Sequence, residues 1–261
     1  MTIRDVLPSR LALAEVLHLI GASASSREAH FRFQRVDGAM QSIALQPIPM
    51  SAPTGGWVAA RDTSVPLPLY LRNRGRNYWL LYIDSLRTMY AQLNAVANAD
   101  DETMAAFCSR LFATADSVAA DRLVIDLRLN NGGDNTLNRP CVHGLIRATR
   151  FDRPGTLFVI IGRLTFSAAM NLATDIERNS SAIFVGEPTG APPNHFGETR
   201  VLKLPRSGIT VLHSTLYWQG SDPRDNRPWS DPSVHAELSS RDYRASRDPA
   251  LDSIAAIIRR K

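Results

Sequence analysis

Arg122-Leu123-Val124-Ile125-Asp126-Leu127 runs into Arg128-Leu129-Asn130-Asn131-Gly132-Gly133, and the reading of the chain turns on this stretch. A short apolar run bounded by a turn signal is a buried strand. The paired glycines admit positive φ and leave bare N–H groups that can face a cleft. A plainer reading is a tight strand-to-helix turn in which Asp126 and Arg128 pair for structure alone. Downstream, residues 138–149 read as a helix, 156–162 as a central parallel strand apolar on both faces, 166–179 as a helix and 181–185 as a strand. Upstream, 78–83 and 89–93 read as strands. Residues 101–120 read as an amphipathic helix with Met104, Phe107, Cys108, Leu111, Phe112 and Ala115 on one face. Alternation of this kind predicts an α/β core with a mainly parallel sheet.

The flanks differ in character. Residues 1–20 repeat Leu7, Leu11, Leu13, Val16, Leu17 and Ile20 at helical spacing. Two short runs, 29–36 and 42–45, are split by Asp37-Gly38, a β-hairpin signal. Residues 46–76 are punctuated by Pro47, Pro49, Pro53, Gly55, Gly56, Pro66 and Pro68 and read as a loop or linker, which puts a boundary near Arg76. The expected organisation is a partial N-terminal segment, 1–76, followed by a catalytic-type domain, 77–261. Beyond Gly197 the pattern is β over 199–204 and 208–217, then a polar loop at 219–231 and a last helix at 250–259.

Composition narrows the function classes. With 261 residues, 44% hydrophobic and 21% charged, the chain reads as globular. No apolar run reaches the length of a membrane span. Met1-Thr2-Ile3-Arg4-Asp5 carries an acid early and Glu15 and His18 interrupt the next apolar run, a poor leader, so the expectation is no export address and a cytoplasmic location by default. All but two of the 30 basic residues are arginine, the exceptions being Lys203 and Lys261, and they are scattered, which argues against a nucleic-acid surface. Cys108 and Cys141 show no metal-ligand spacing and read as buried thiols; neither a metal nor a cofactor is expected.

A second stretch carries chemistry: Val159-Ile160-Ile161-Gly162-Arg163-Leu164-Thr165-Phe166-Ser167-Ala168-Ala169-Met170. A strand ends at Gly162 and a helix begins near Ser167. A serine there can be a plain N-cap, or a nucleophile served by the next backbone N–H.

Taken in order, Val124–Gly133, Gly162–Met170, Gly186–Gly197 and Arg247–Leu251, with 204–208 as a weaker fifth block, resemble the C-terminal-processing (tail-specific) serine peptidases. Within that broad family the nearer branch is that of the tricorn core and interphotoreceptor retinoid-binding protein. The resemblance covers about residues 78–255. It implies a ClpP/crotonase-like α/β core, with a small N-terminal helix and hairpin attached. It also implies hydrolysis of a peptide or protein substrate by Ser167, with an oxyanion hole from the N–H of Ala168 and of Gly132 or Gly133. Phe166, Thr189, Gly190 and His195 would line the substrate cleft.

The base is where the sequence departs from the family. A Ser–Lys dyad would need a lysine just after the Gly186-Glu187-Pro188-Thr189 block; Pro192 stands there, and Lys203 lies beyond it. The tricorn-like branch uses a histidine from well upstream, in a Gly-His-Thr or Ser-His context that neither His18 nor His30 shows. The loosely aligned Asp225 falls in the segment that resembles the acid-bearing one. The chain therefore looks like the rear two-thirds of such a peptidase. The alternatives are a catalytically incomplete homologue that binds peptide or an apolar ligand without turnover and, more remotely, a crotonase-like acyl-thioester enzyme. An oligomer is possible.

Overall fold

The computed structural model describes residues 11–35, 37–49 and 61–260. The chain divides into two compact units, Met1–Ala59 and Ala60–Lys261. In the first, α1 (Ala14–Leu19) precedes an antiparallel hairpin of β1 (Ala29–Gln34) and β2 (Met40–Leu45). The early part of the helix expected over 1–20 lies outside the described residues.

The second unit is an α/β layered core. Its elements are α2 (Leu69–Arg72), β3 (Tyr78–Ile83), β4 (Thr88–Leu93), α3 (Met104–Ser117), β5 (Arg122–Asp126), α4 (Arg139–Arg147), β6 (Leu157–Ile161), α5 (Ala168–Asn179), β7 (Ile183–Gly186), β8 (Asn194–Lys203), β9 (Thr210–Gln219), β10 (Val234–His235), α6 (Ser240–Arg244) and α7 (Pro249–Arg259). Six strands form one sheet in the order β10-β7-β6-β5-β4-β3, parallel throughout except that β3 runs antiparallel to β4.

Strand side chains alternate between faces, so a strand covered on both must be apolar at every position. On one face Leu123, Ile125, Leu157, Val159 and Ile161 pack with Met104, Phe107 and Leu111 of α3, Leu145 of α4 and Leu172 and Ile176 of α5. On the other, Val124, Phe158, Ile160 and Val185 pack with Ala250 and Ile254 of α7. The unbroken apolar run of β6 is thus the signature of a strand between two helical layers. β8 and β9 form a separate antiparallel hairpin, registered from Asn194↔Gln219 to Lys203↔Thr210. Beyond Asn194 and His195 it is largely exposed, with Phe196 at 69% and Val201 at 68%.

One expectation is corrected. Cys108 on α3 and Cys141 on α4 are not thiols; they form a disulfide, with Cα atoms 5.0 Å apart. The two helices come close because Gly144 has no side chain: a Cβ there would lie 2.2 Å from the Phe112 ring. The bridge closes a loop over a sequence separation of 33 residues. By loop entropy, Cys108→Ser is expected to lower stability by about 4 kcal/mol. Thermal melts with and without reductant test this: the wild type should fall toward the variant when reduced, and coincident melts of oxidised wild type and variant would refute it.

Candidate active site

Two turns leave the carboxyl ends of adjacent parallel strands, the region where open α/β sheets place their sites. Leu123↔Leu157 to Asp126↔Ile160 set β5 beside β6, so the glycine turn after β5 and the serine turn after β6 are neighbours. Hydrogen bonds tie them together. Phe166 N–H donates to the Asn130 carbonyl at 3.2 Å, and Thr165 Oγ1 donates to the Leu127 carbonyl at 2.9 Å. Asn138 Nδ2 donates to the Ala168 carbonyl at 2.8 Å.

Ser167 occupies the N-cap position of α5 but makes no capping bond. Its backbone has φ 52° and ψ −126°, a region that an L-residue enters only at a cost. A capping serine sits in extended backbone and accepts an N–H from the first turn; Thr103 of α3 and Ser239 of α6 do both. Ser167 does neither.

The glycine turn fits against this serine. Gly132 has φ 108° and Gly133 φ 139°. A Cβ on Gly132 would stand 2.6 Å from Ser167 Cβ and 3.1 Å from the Ala168 nitrogen. A Cβ on Gly133 would stand 2.1 Å from the Val96 carbonyl oxygen. Val96 clasps the turn, donating its N–H to the Gly132 carbonyl at 2.9 Å and accepting the Asp134 N–H at 2.7 Å. The Gly132 N–H is itself taken, donated to Asn130 Oδ1 at 2.9 Å. The N–H groups of Gly133 and of Ala168, the first residue of α5, have no acceptor among the described residues. Asn130, Val96 and Asn138 therefore shape the site without having been singled out from sequence. An asparagine two residues before a turn glycine was the available signal for Asn130.

The remaining predicted residues fall as follows. Phe166 is half-buried, its ring centroid 6.4 Å from that of His195. Gly190 is buried and ties its loop to the serine turn by donating its N–H to the Thr165 carbonyl at 3.0 Å. Thr189 is buried and engaged within its own neighbourhood: its hydroxyl donates to the Ala191 carbonyl at 2.8 Å and accepts the Ser230 N–H at 2.8 Å. His195 is 6% exposed. Its Nδ1 lies 3.0 Å from the Pro192 carbonyl, and its Nε2 is buried with no partner among the described residues. Burial holds this imidazole below the ordinary histidine pKa, and the backbone carbonyls of Pro192 and Pro193 only partly oppose that.

Asp225 reaches the neighbourhood through its main chain, since Asn194 Nδ2 donates to the carbonyls of Asp222 and Asp225 at 2.8 and 3.2 Å. Its carboxylate is gripped by Arg227 at 2.8 and 3.0 Å, and this keeps it well below the usual carboxylate range. Arg227 also grips Glu177 of α5 at 3.0 Å. Lys203 lies exposed on β8. Among the described residues there is no cluster of three or more His, Cys, Asp or Glu able to hold a metal ion, and no helix is long and apolar enough to cross a membrane.

No protein-family model matches the sequence, and no curated protein matches it. Solved structures do match. One described as a peptidase, from Parabacteroides merdae, is 15% identical at a TM-score of 0.53, over 71% of this chain and 67% of that one. One described as an S41 protease, from Bacteroides fragilis, is 11% identical at 0.50, over 89% and 66%. Mature CPAF is 11% identical at 0.54, over 88% and 66%. The chain spans about two thirds of the length of each of these matches.

Proposed function

From a chain that has the fold of the S41 proteases, we propose a serine-type peptidase that cleaves a peptide or protein substrate through Ser167. The observation that carries this reading is the Ser167 backbone. A strained, uncapped serine at a helix start, with a glycine turn pressed against it, has no structural task that explains it. Ser167 Oγ attacks the scissile carbonyl, and the developing oxyanion receives N–H groups from Ala168 and Gly133. Gly133 is assigned in preference to Gly132 because the Gly132 N–H is already given to Asn130. The start of α5 adds its positive dipole end to the same point.

The test is labelling by a fluorophosphonate probe, read by intact mass. Wild type should take up one probe and Ser167→Ala none; uptake that survives the substitution overturns the reading. A competing reading, peptide binding without turnover, draws on one observation: the Asp225 carboxylate is held by Arg227 and not by a histidine. A folded wild type that takes no label and binds peptides with equal affinity before and after Ser167→Ala would favour it.

A further inference from the structure

We propose that His195 is the general base of this site, its Nε2 taking the proton from Ser167 Oγ. The inference rests on the reading of Ser167 as nucleophile and supplies the group that reading lacks.

Three features carry it. First, the ring nitrogens are sorted. A carbonyl can only accept, so Nδ1 must carry the hydrogen that it gives to Pro192. In a neutral imidazole this leaves the lone pair on Nε2, the tautomer a base requires. Second, that Nε2 is buried and unpaired among the described residues. A buried polar atom with no partner is costly and uncommon in a finished core; a proton acceptor awaiting its donor accounts for it. Third, the ring is placed beside the nucleophile's turn. It lies against Phe166, the residue before Ser167, and its loop is tied to that turn through Gly190 and Thr165. Trp218 is the register partner of His195 across β8 and β9, and Asn194 fastens the start of β8 to loop 221–225.

The alternatives within this unit are poorly placed. His143, His213 and His235 are exposed. Lys203 is eight residues along β8 from His195, about 26 Å at the rise of a strand.

The step balances as an acyl transfer. Oγ bonds to the carbonyl carbon as its proton passes to Nε2, and the carbonyl π pair moves onto oxygen. The C–N bond then breaks and Nε2 returns the proton to the leaving amine, leaving an acyl-serine. Water repeats the sequence in reverse to release the acid. In the resting structure Nε2 has no partner among the described residues, and the bond to Oγ forms with the carbonyl in place; catalytic hydrogen bonds commonly tighten in this way.

The experiment is the rate of fluorophosphonate labelling against pH for wild type, His195→Ala, His195→Asn and Ser167→Ala. His195→Asn keeps an N–H for the Pro192 carbonyl and guards against loss of local structure; melts verify folding, and if the alanine variant fails to fold the asparagine variant decides. Both histidine variants should label about 10²–10⁴-fold more slowly than wild type and lose the acid limb of its profile. Undiminished labelling in folded histidine variants, with Ser167→Ala unlabelled, overturns His195 as base and leaves the nucleophile standing. Labelling of Ser167→Ala, or none in wild type, overturns both.

Discussion

Gly132→Ala will slow fluorophosphonate labelling of Ser167 by about 10²–10³-fold, as large an effect as removing an oxyanion donor. The cause is steric and close to the reacting oxygen. A methyl group at this position falls 2.6 Å from Ser167 Cβ and 3.1 Å from both the Ala168 nitrogen and the Phe166 carbonyl oxygen. None of these is the free end of a flexible chain, so a backbone must move. The φ of 108° at Gly132 adds strain of its own for alanine. Either the serine turn retreats or the glycine turn does, and a misplacement of about 1 Å at a reacting centre can cost ~10²-fold. The core strands do not depend on this contact, so far-ultraviolet circular dichroism should match wild type. Labelling at the wild-type rate in the folded variant would show that the two turns are not functionally coupled.

The second large effect is on stability. Arg128 lies between two buried carboxylates, 2.9 Å from Asp126 and 2.7 Å from Asp248, with its guanidinium 4.6 Å from the Tyr70 ring centroid. Tyr90 donates its hydroxyl to the same Asp126 at 2.6 Å. Burial alone would lower the arginine's pKa, but the two carboxylates more than offset it and hold the pKa above its ordinary value. Arg128→Met keeps the bulk of the stem and leaves Asp126 and Asp248 as uncompensated buried charges. A loss of about 3–5 kcal/mol is expected, seen as a drop in Tm of roughly 10 °C for a unit of this size. A variant melting within about 2 °C of wild type would mean that the network is energetically neutral.

This network also shows what the sequence made legible. The pairing of Asp126 with Arg128 could be read from the strand end. Its third member, Asp248, could not, because 120 residues separate it from Arg128. Seen in the fold, Asp248 caps α7 by accepting the Leu251 N–H and anchors that helix to the end of β5. The sheet was legible for a physical reason: double burial writes itself as the unbroken apolar run 157–161. The hairpin of β1 and β2 was legible through Asp37-Gly38. The Cys108–Cys141 bridge was not, since pairing depends on two helices closing to disulfide distance and their approach is set by Gly144.

At the candidate site the serine and glycine turns were visible as motifs, but three decisive properties were conformational. The left-handed backbone of Ser167, the loss of the Gly132 N–H to Asn130 and the orphaned Nε2 of His195 each depend on where neighbouring atoms lie. Asp225 shows the converse: its place in a loop was readable, while its capture by Arg227 was not.

The backbone at Ser167 gives evolution a direction. A glycine accepts φ 52° and ψ −126° freely, whereas serine gives up about 1–3 kcal/mol of fold stability to hold them. If durability alone were inherited, position 167 would drift from serine toward glycine, and the hydroxyl would vanish while the sheet endured. Lineages under pressure to perform acyl transfer cannot take that path. Among descendants sharing this turn, the identity of one residue would separate those that kept the chemistry from those that kept only the shape.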